Sequence, residues 1–224
     1  MQRIIEPIMF IIYLTTILLI SSYMIRESIG SVLYKSFGSF GLTLALADGI
    51  YIIPRMYAVL TTGVEENLRV IGWGRMGNSI IVTILFLILY DIFHIRYSKK
   101  KNIMRDKTIY VLGIIRAIIC LLPGNGFFDL IPSPTYAIIR LVPILIIGIY
   151  LVTVIFIHSK RYNDKSFKIL NVALIVSLLL IEPSIFHNAS ISIYLLTIIR
   201  TAALNIILLI GYKELRDINV LSRY

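Results

Sequence analysis

The sequence predicts an all-α, polytopic transmembrane helix bundle of seven helices, forming a single domain over residues 1–224. Three observations carry that prediction: the apolar composition, the length of the apolar blocks, and the positions of the basic residues between them. The chain is 58% hydrophobic and 15% charged, more apolar surface than a soluble domain of this size can bury. The apolar residues are grouped in blocks. About 20 of them, at 1.5 Å rise per residue, cross a hydrocarbon core as a helix. Helices and closed barrels are the spanning structures that satisfy their own backbone hydrogen bonds. Barrel strands alternate apolar and polar residues, and stretches such as 80–89 do not alternate.

Seven segments follow in order. The first, 4–23, is preceded by Arg3 as a secretory signal would be, but it is long. Ser21-Ser22-Tyr23 offers no small-x-small cleavage site, so the segment is read as a retained span. The second is 37–61 and the third 78–95. The fourth, 108–122, is short and is punctuated by Pro123, Gly124, Asn125 and Gly126. The fifth is 136–157. The sixth, 169–181, is also short and stops before Pro183, and the seventh is 191–212.

The basic residues set the orientation, because Lys and Arg are retained on the cytoplasmic side. Loop 96–107 holds Arg96, Lys99, Lys100, Lys101, Arg105 and Lys107, and loop 158–168 holds Lys160, Arg161, Lys165 and Lys168. The tail adds Lys213, Arg216 and Arg223, and the first loop adds Arg26 and Lys35. The opposite side has Arg3, Arg69 and Arg75, and loops 123–135 and 182–190 contain neither Lys nor Arg. An odd number of spans puts the basic segments together. The protein is therefore expected in the plasma (cell) membrane, N-terminus outside and C-terminus cytoplasmic.

Several function classes receive no support. The single cysteine, Cys120, forms no internal disulfide and is read as a packing residue. His94, His158 and His187 lack metal-ligand spacing. There is no nucleophile elbow, P-loop or dinucleotide fingerprint, so neither a metal nor a cofactor is expected. A net charge of +10 suits a membrane protein, and nucleic acid is not an expected partner. Gly72-Trp73-Gly74-Arg75-x-Gly77 has the wrong spacing for a phosphate loop, and Trp73 reads as an interfacial anchor. Asn188-Ala189-Ser190 matches a glycosylation sequon of a kind expected by chance. Asp91 and His94 read as cytoplasmic-interface residues beside Arg96, with a proton-shuttling pair as the other reading.

The informative residues are charges inside apolar segments: Arg55, Arg116, Arg140, Arg200 and Asp48. Each costs about 2.5–3.5 kcal/mol at a helix centre on the insertion scale, so it is expected to face the bundle interior and find a partner. Helical rise puts Arg55 and Arg116 about 10 Å, Arg140 about 7 Å and Arg200 about 15 Å below the outer ends of their helices. Three arginines from three helices thus fall in one outer layer. Arginine stays charged and offers a planar fork of donors suited to carboxylate and phosphate. Asp48, Tyr51 and Arg55 share one face of the second helix at i, i+3 and i+7, and Tyr194, Thr197, Thr201 and Asn205 form a stripe down the seventh. The candidate ligand-binding residues are Arg55, Arg116, Arg140, Arg200, Asp48, Tyr51 and Asn205. Asp48 is expected to interact with a buried arginine, Arg200 by its similar depth. The bland alternative is that the arginines snorkel or pair with Asp48, with helix carbonyls or with Glu182, placed near the outer rim.

Asp48-x-x-Tyr51-x-x-Pro54-Arg55, Arg116-x-x-x-Cys120-x-x-Pro123-x-Asn125 and Arg140-x-x-Pro143 resemble motifs of a group of uncharacterised bacterial seven-helix integral membrane proteins. That group carries His where this chain has Tyr51, and Gln where it has Gly124. The resemblance implies a seven-helix architecture and no particular activity.

These readings point to a bundle binding an anionic small molecule or lipid head group from the outer side, as a transporter or sensor. One alternative is an intramembrane enzyme acting on a lipid phosphate or ester, for which Asp48 would be the only deep acid. Another is a non-catalytic subunit whose arginines meet acids on a partner membrane protein. The expected surroundings are the lipid bilayer in every case.

Overall fold

The computed structural model describes residues 2–28, 30–98, 102–130, 132–182, 185 and 193–221. Seven α-helices form the described part: α1 (Gln2–Glu27), α2 (Val32–Leu60), α3 (Leu68–Arg96), α4 (Ile103–Leu121), α5 (Pro134–Arg161), α6 (Lys165–Leu179) and α7 (Ile193–Leu221). A single 3-10 turn, Pro123–Asn125, follows α4. Helix starts follow local chemistry. Asn102 accepts from the Met104 and Arg105 amides, Ser133 from the Tyr136 amide, and Asp164 from the Phe167 amide, each satisfying an otherwise orphaned donor. Pro134 sits at the first position of α5, where its missing N–H costs nothing.

Most helices extend beyond the expected segments. The largest correction is α3, which begins at Leu68 instead of residue 78, so Arg69 and Arg75 belong to a helix and not to a loop. The glycines that read as a turn serve close packing. A Cβ on Gly74 would lie 2.6 Å from the Ile50 carbonyl oxygen of α2, so only glycine lets the two backbones meet there.

Five helices, α1, α2, α3, α5 and α7, are long and apolar enough to cross a membrane. α6 has 15 residues, about 22 Å at helical rise against a core of about 30 Å. Its end therefore lies within the bundle, and the chain through Leu180, Ile181 and Glu182 leaves the helix there. Non-helical backbone at that depth is tolerated where protein or a cavity surrounds it.

Sequence neighbours pack against each other, and α7 returns to α2, closing the bundle. Phe37, Phe40, Leu44, Phe86, Ile147 and Ile207 are fully buried at its centre. Ile12 and Leu19 of α1, Ile149 of α5 and Leu179 of α6 point outward, as lipid-facing residues do. Arg96 ties the end that carries the α7 C-terminus. It donates to both oxygens of Glu214 at 3.1 and 3.3 Å and to Asp164 at 3.0 Å, joining α3, α6 and α7. Tyr97, just past α3, donates to Asp164, and burial with that carboxylate raises its hydroxyl above the ordinary phenol range. Asp91 and His94 have separate partners: Asp91 accepts from the Tyr110 hydroxyl at 3.1 and 3.2 Å, and His94 Nε2 accepts from Arg105 at 2.8 Å.

Candidate functional site

Two prolines shape the walls of a large internal space. Pro54 has no N–H for the Ile50 carbonyl one turn back, and α3 presses Gly74 against that freed oxygen. One turn deeper, Asn78 of α3 donates to the Ala47 carbonyl at 2.7 Å. Pro143 interrupts α5 in the same way, and the nearby Arg140 carbonyl accepts from Arg116 Nε at 3.1 Å. Backbone carbonyls close to each proline, Ala47 and Arg140, thus receive donors from neighbouring helices.

Between α1, α2, α3 and α7 lies a cavity of about 1140 Å³. Its walls include all seven residues singled out in the sequence: Asp48, Tyr51, Arg55, Arg116, Arg140, Arg200 and Asn205. Thr197 and Thr201 line it too, so the stripe on α7 faces a space. The Tyr194 side chain lies outside the described residues.

The arginines divide into separate settings. Arg116 and Arg140 are each 1% exposed and converge on Glu182, itself 7% exposed. Arg116 Nη2 donates to Glu182 Oε1 at 3.0 Å. Arg140 donates to Oε2 at 2.8 Å and to Oε1 at 3.3 Å. Their other donors are also used: Arg116 donates to the Ser79 carbonyl and the Thr83 hydroxyl, and Arg140 to Asn125 Oδ1 at 2.6 Å. Asn125 in turn donates to the Ile119 and Leu122 carbonyls at 2.7 Å, closing the end of α4. The Arg140 guanidinium lies 4.6 Å from the Phe127 ring centre, a favourable cation–π distance.

Glu182, expected near the outer rim and offered in the bland alternative as a partner for the arginines, does pair with two of them. It is buried where the chain leaves the short α6.

Arg55, on α2, lines the same cavity and donates to the Tyr51 hydroxyl at 3.2 Å, while Arg116 and Arg140 share Glu182. Arg75 of α3 donates to the Phe127 and Asp129 carbonyls at 3.2 and 2.6 Å, fastening the α4–α5 connection.

Asp48, 5% exposed, takes its hydrogen bond from Tyr13 of α1 at 2.6 Å, and Asn205 of α7 donates to that hydroxyl at 3.0 Å. Arg200 is near enough to act on Asp48 electrostatically, but no ion-pair contact joins them among the described residues. Arg200 is 7% exposed and donates to the Ile181 carbonyl at 3.3 Å, where the chain leaves α6. Its Nε has no hydrogen-bond partner among the described residues. Tyr13 carried no sequence signal, being one of 14 tyrosines in an otherwise apolar segment.

Chemically, the cavity holds cations in excess. Arg116 and Arg140 share one carboxylate, and Arg200 is buried with a donor unmet. The described groups include no cluster of His, Cys, Asp and Glu able to hold a metal ion. Against known protein families, curated proteins and solved structures, this chain finds no match.

Proposed function

We propose that this membrane protein binds an anion in the cavity between α1, α2, α3 and α7, as a transporter or sensor of that anion. The supporting observation is Arg200, 7% exposed, lining the cavity with Nε unsatisfied. A buried charge costs several kcal/mol unless it is paired and hydrogen-bonded, and arginine does not escape that cost by losing its proton. An anion reaching Arg200 supplies the acceptor that Nε lacks and adds negative charge to that of nearby Asp48. The neighbouring pair strengthens the argument, because two guanidinium groups against one carboxylate leave a net positive field in the same cavity.

The distribution of Lys and Arg supports the orientation, with the N-terminal end of α1 and the α4–α5 connection outside. The cavity then opens toward the outer half of the plasma membrane. The test is thermal unfolding of detergent-purified protein with phosphate, sulfate or anionic lipid. At least one of these anions stabilises the wild type, and Arg200→Gln removes the effect. If none of them shifts the wild-type transition, the binding role fails and the arginines are bundle structure.

A further inference from the structure

We infer that the anion is the head group of a membrane phospholipid, which reaches the cavity sideways from the bilayer through a slot between α1 and α7. This rests on the anion-binding reading above and names its ligand class.

The shape of the cavity carries the argument. α1 packs along α2 and scarcely meets α7, although both helices line the space. Met9 and Thr16 of α1 and Ile198 and Leu209 of α7 line it and are also exposed, so it opens between these two helices. On α1 the lining runs from Met9 to Ile20 and on α7 from Thr197 to Leu209. At helical rise these are about 16 and 18 Å, close to half of a hydrocarbon core about 30 Å thick. The slot is one leaflet deep.

Charged and apolar residues share its outer part, and its deep end is apolar. Ile17, Ile20, Leu208 and Leu209 form the deep end. The arginines, including Arg200 with its unsatisfied Nε, line the part nearer the α1 N-terminus and the α4–α5 connection. A small ion from water would use the charged part and leave the apolar floor empty. An anionic lipid fills both, its phosphate among guanidinium groups and an acyl chain along the apolar floor.

The experiment uses the full chain in detergent with dioleoyl phosphatidylglycerol, dioleoyl phosphatidylcholine, glycerol phosphate or inorganic phosphate as probes. Phosphatidylglycerol should raise Tm by about 5 °C or more at saturation, while the other three leave it within about 1 °C. Met9→Trp and Ile198→Trp narrow the slot at exposed positions whose side chains carry no charge and make no hydrogen bond. Each should abolish most of the lipid shift without lowering the lipid-free Tm. Equal stabilisation by glycerol phosphate or inorganic phosphate overturns the lipid inference but leaves anion binding standing. An equal lipid shift in both Trp variants assigns the lipid to the outer surface and also overturns it. No shift with any probe removes both readings.

Discussion

Replacing Glu182 with Gln tests the most tightly built part of the interior. The carboxylate accepts three hydrogen bonds from two buried guanidinium groups, at 2.8, 3.0 and 3.3 Å. Glutamine retains one acceptor oxygen and turns an amide donor toward an arginine donor. Arg116 and Arg140 keep their contacts to Ser79, Thr83 and Asn125, so the loss is of charge compensation more than of every contact. Breaking a buried pair while leaving its charge behind costs about 3–5 kcal/mol. At about 2–4 °C per kcal/mol for a chain of this size, Glu182→Gln should lower Tm by about 6–20 °C. Cys120, the only cysteine, is 1% exposed, so a thiol-reactive fluorophore reports the unfolding directly. Glu182→Gln combined with Arg116→Gln should lose at least about 1 kcal/mol less than the sum of the single losses. An unchanged Tm for Glu182→Gln, or strictly additive losses, would refute the shared-carboxylate account.

Three further outcomes are expected. Asp48→Asn and Tyr13→Phe should be strongly coupled in a double-mutant cycle, by about 1 kcal/mol or more, and Asp48→Asn with Arg200→Gln less so, because Tyr13 makes the direct hydrogen bond; equal coupling in both cycles, read by thermal unfolding, contradicts this. Asn125→Ala should destabilise by about 2–3 kcal/mol, since it strips one acceptor from buried Arg140 and uncovers the last carbonyls of α4; denaturation by heat measures it, and a loss under about 0.5 kcal/mol argues against the role. Reporter fusions should place Tyr224 in the cytoplasm and Asp129 outside; a cytoplasmic signal at Asp129 reverses the orientation.

Much of the architecture was legible because membrane spans are written in long-range composition. The shortness of the sixth segment was visible as well, since α6 has 15 residues, whereas α4 with 19 misses the spanning criterion through its charges, Arg105, Asp106, Lys107 and Arg116. The charges at Asp48, Arg116, Arg140 and Arg200 were found because each is costly in an apolar segment. What was not legible depends on tertiary contact. Glu182 reads as a loop acid when helix ends are assumed to reach the surface, and α6 does not. Tyr13 is an ordinary aromatic until α7 brings Asn205 against it. Arg75 reads as a loop residue because glycines surround it, yet those glycines let α3 approach α2. Depth along a helix is read from rise alone, but the partner a side chain finds across the bundle is not, which is why the sequence does not show that Arg116 and Arg140 share Glu182.

The depth of the paired arginines has an electrical consequence. Arg116 lies about 7.5 Å from the nearer end of its helix, Leu121, at helical rise, roughly a quarter of the hydrocarbon thickness. An elementary charge crossing the full membrane at 100 mV exchanges about 2.3 kcal/mol with the potential. In the proposed anion-binding role, a monovalent anion drawn from that face to the guanidinium layer traverses about a quarter of the drop, about 0.6 kcal/mol, or nearly threefold in affinity. In the proposed orientation, a negative-inside potential opposes occupancy and depolarisation favours it. Binding to vesicles set at different potassium diffusion potentials would read that factor, and it would show occupancy of the proposed site following the energised state of the membrane.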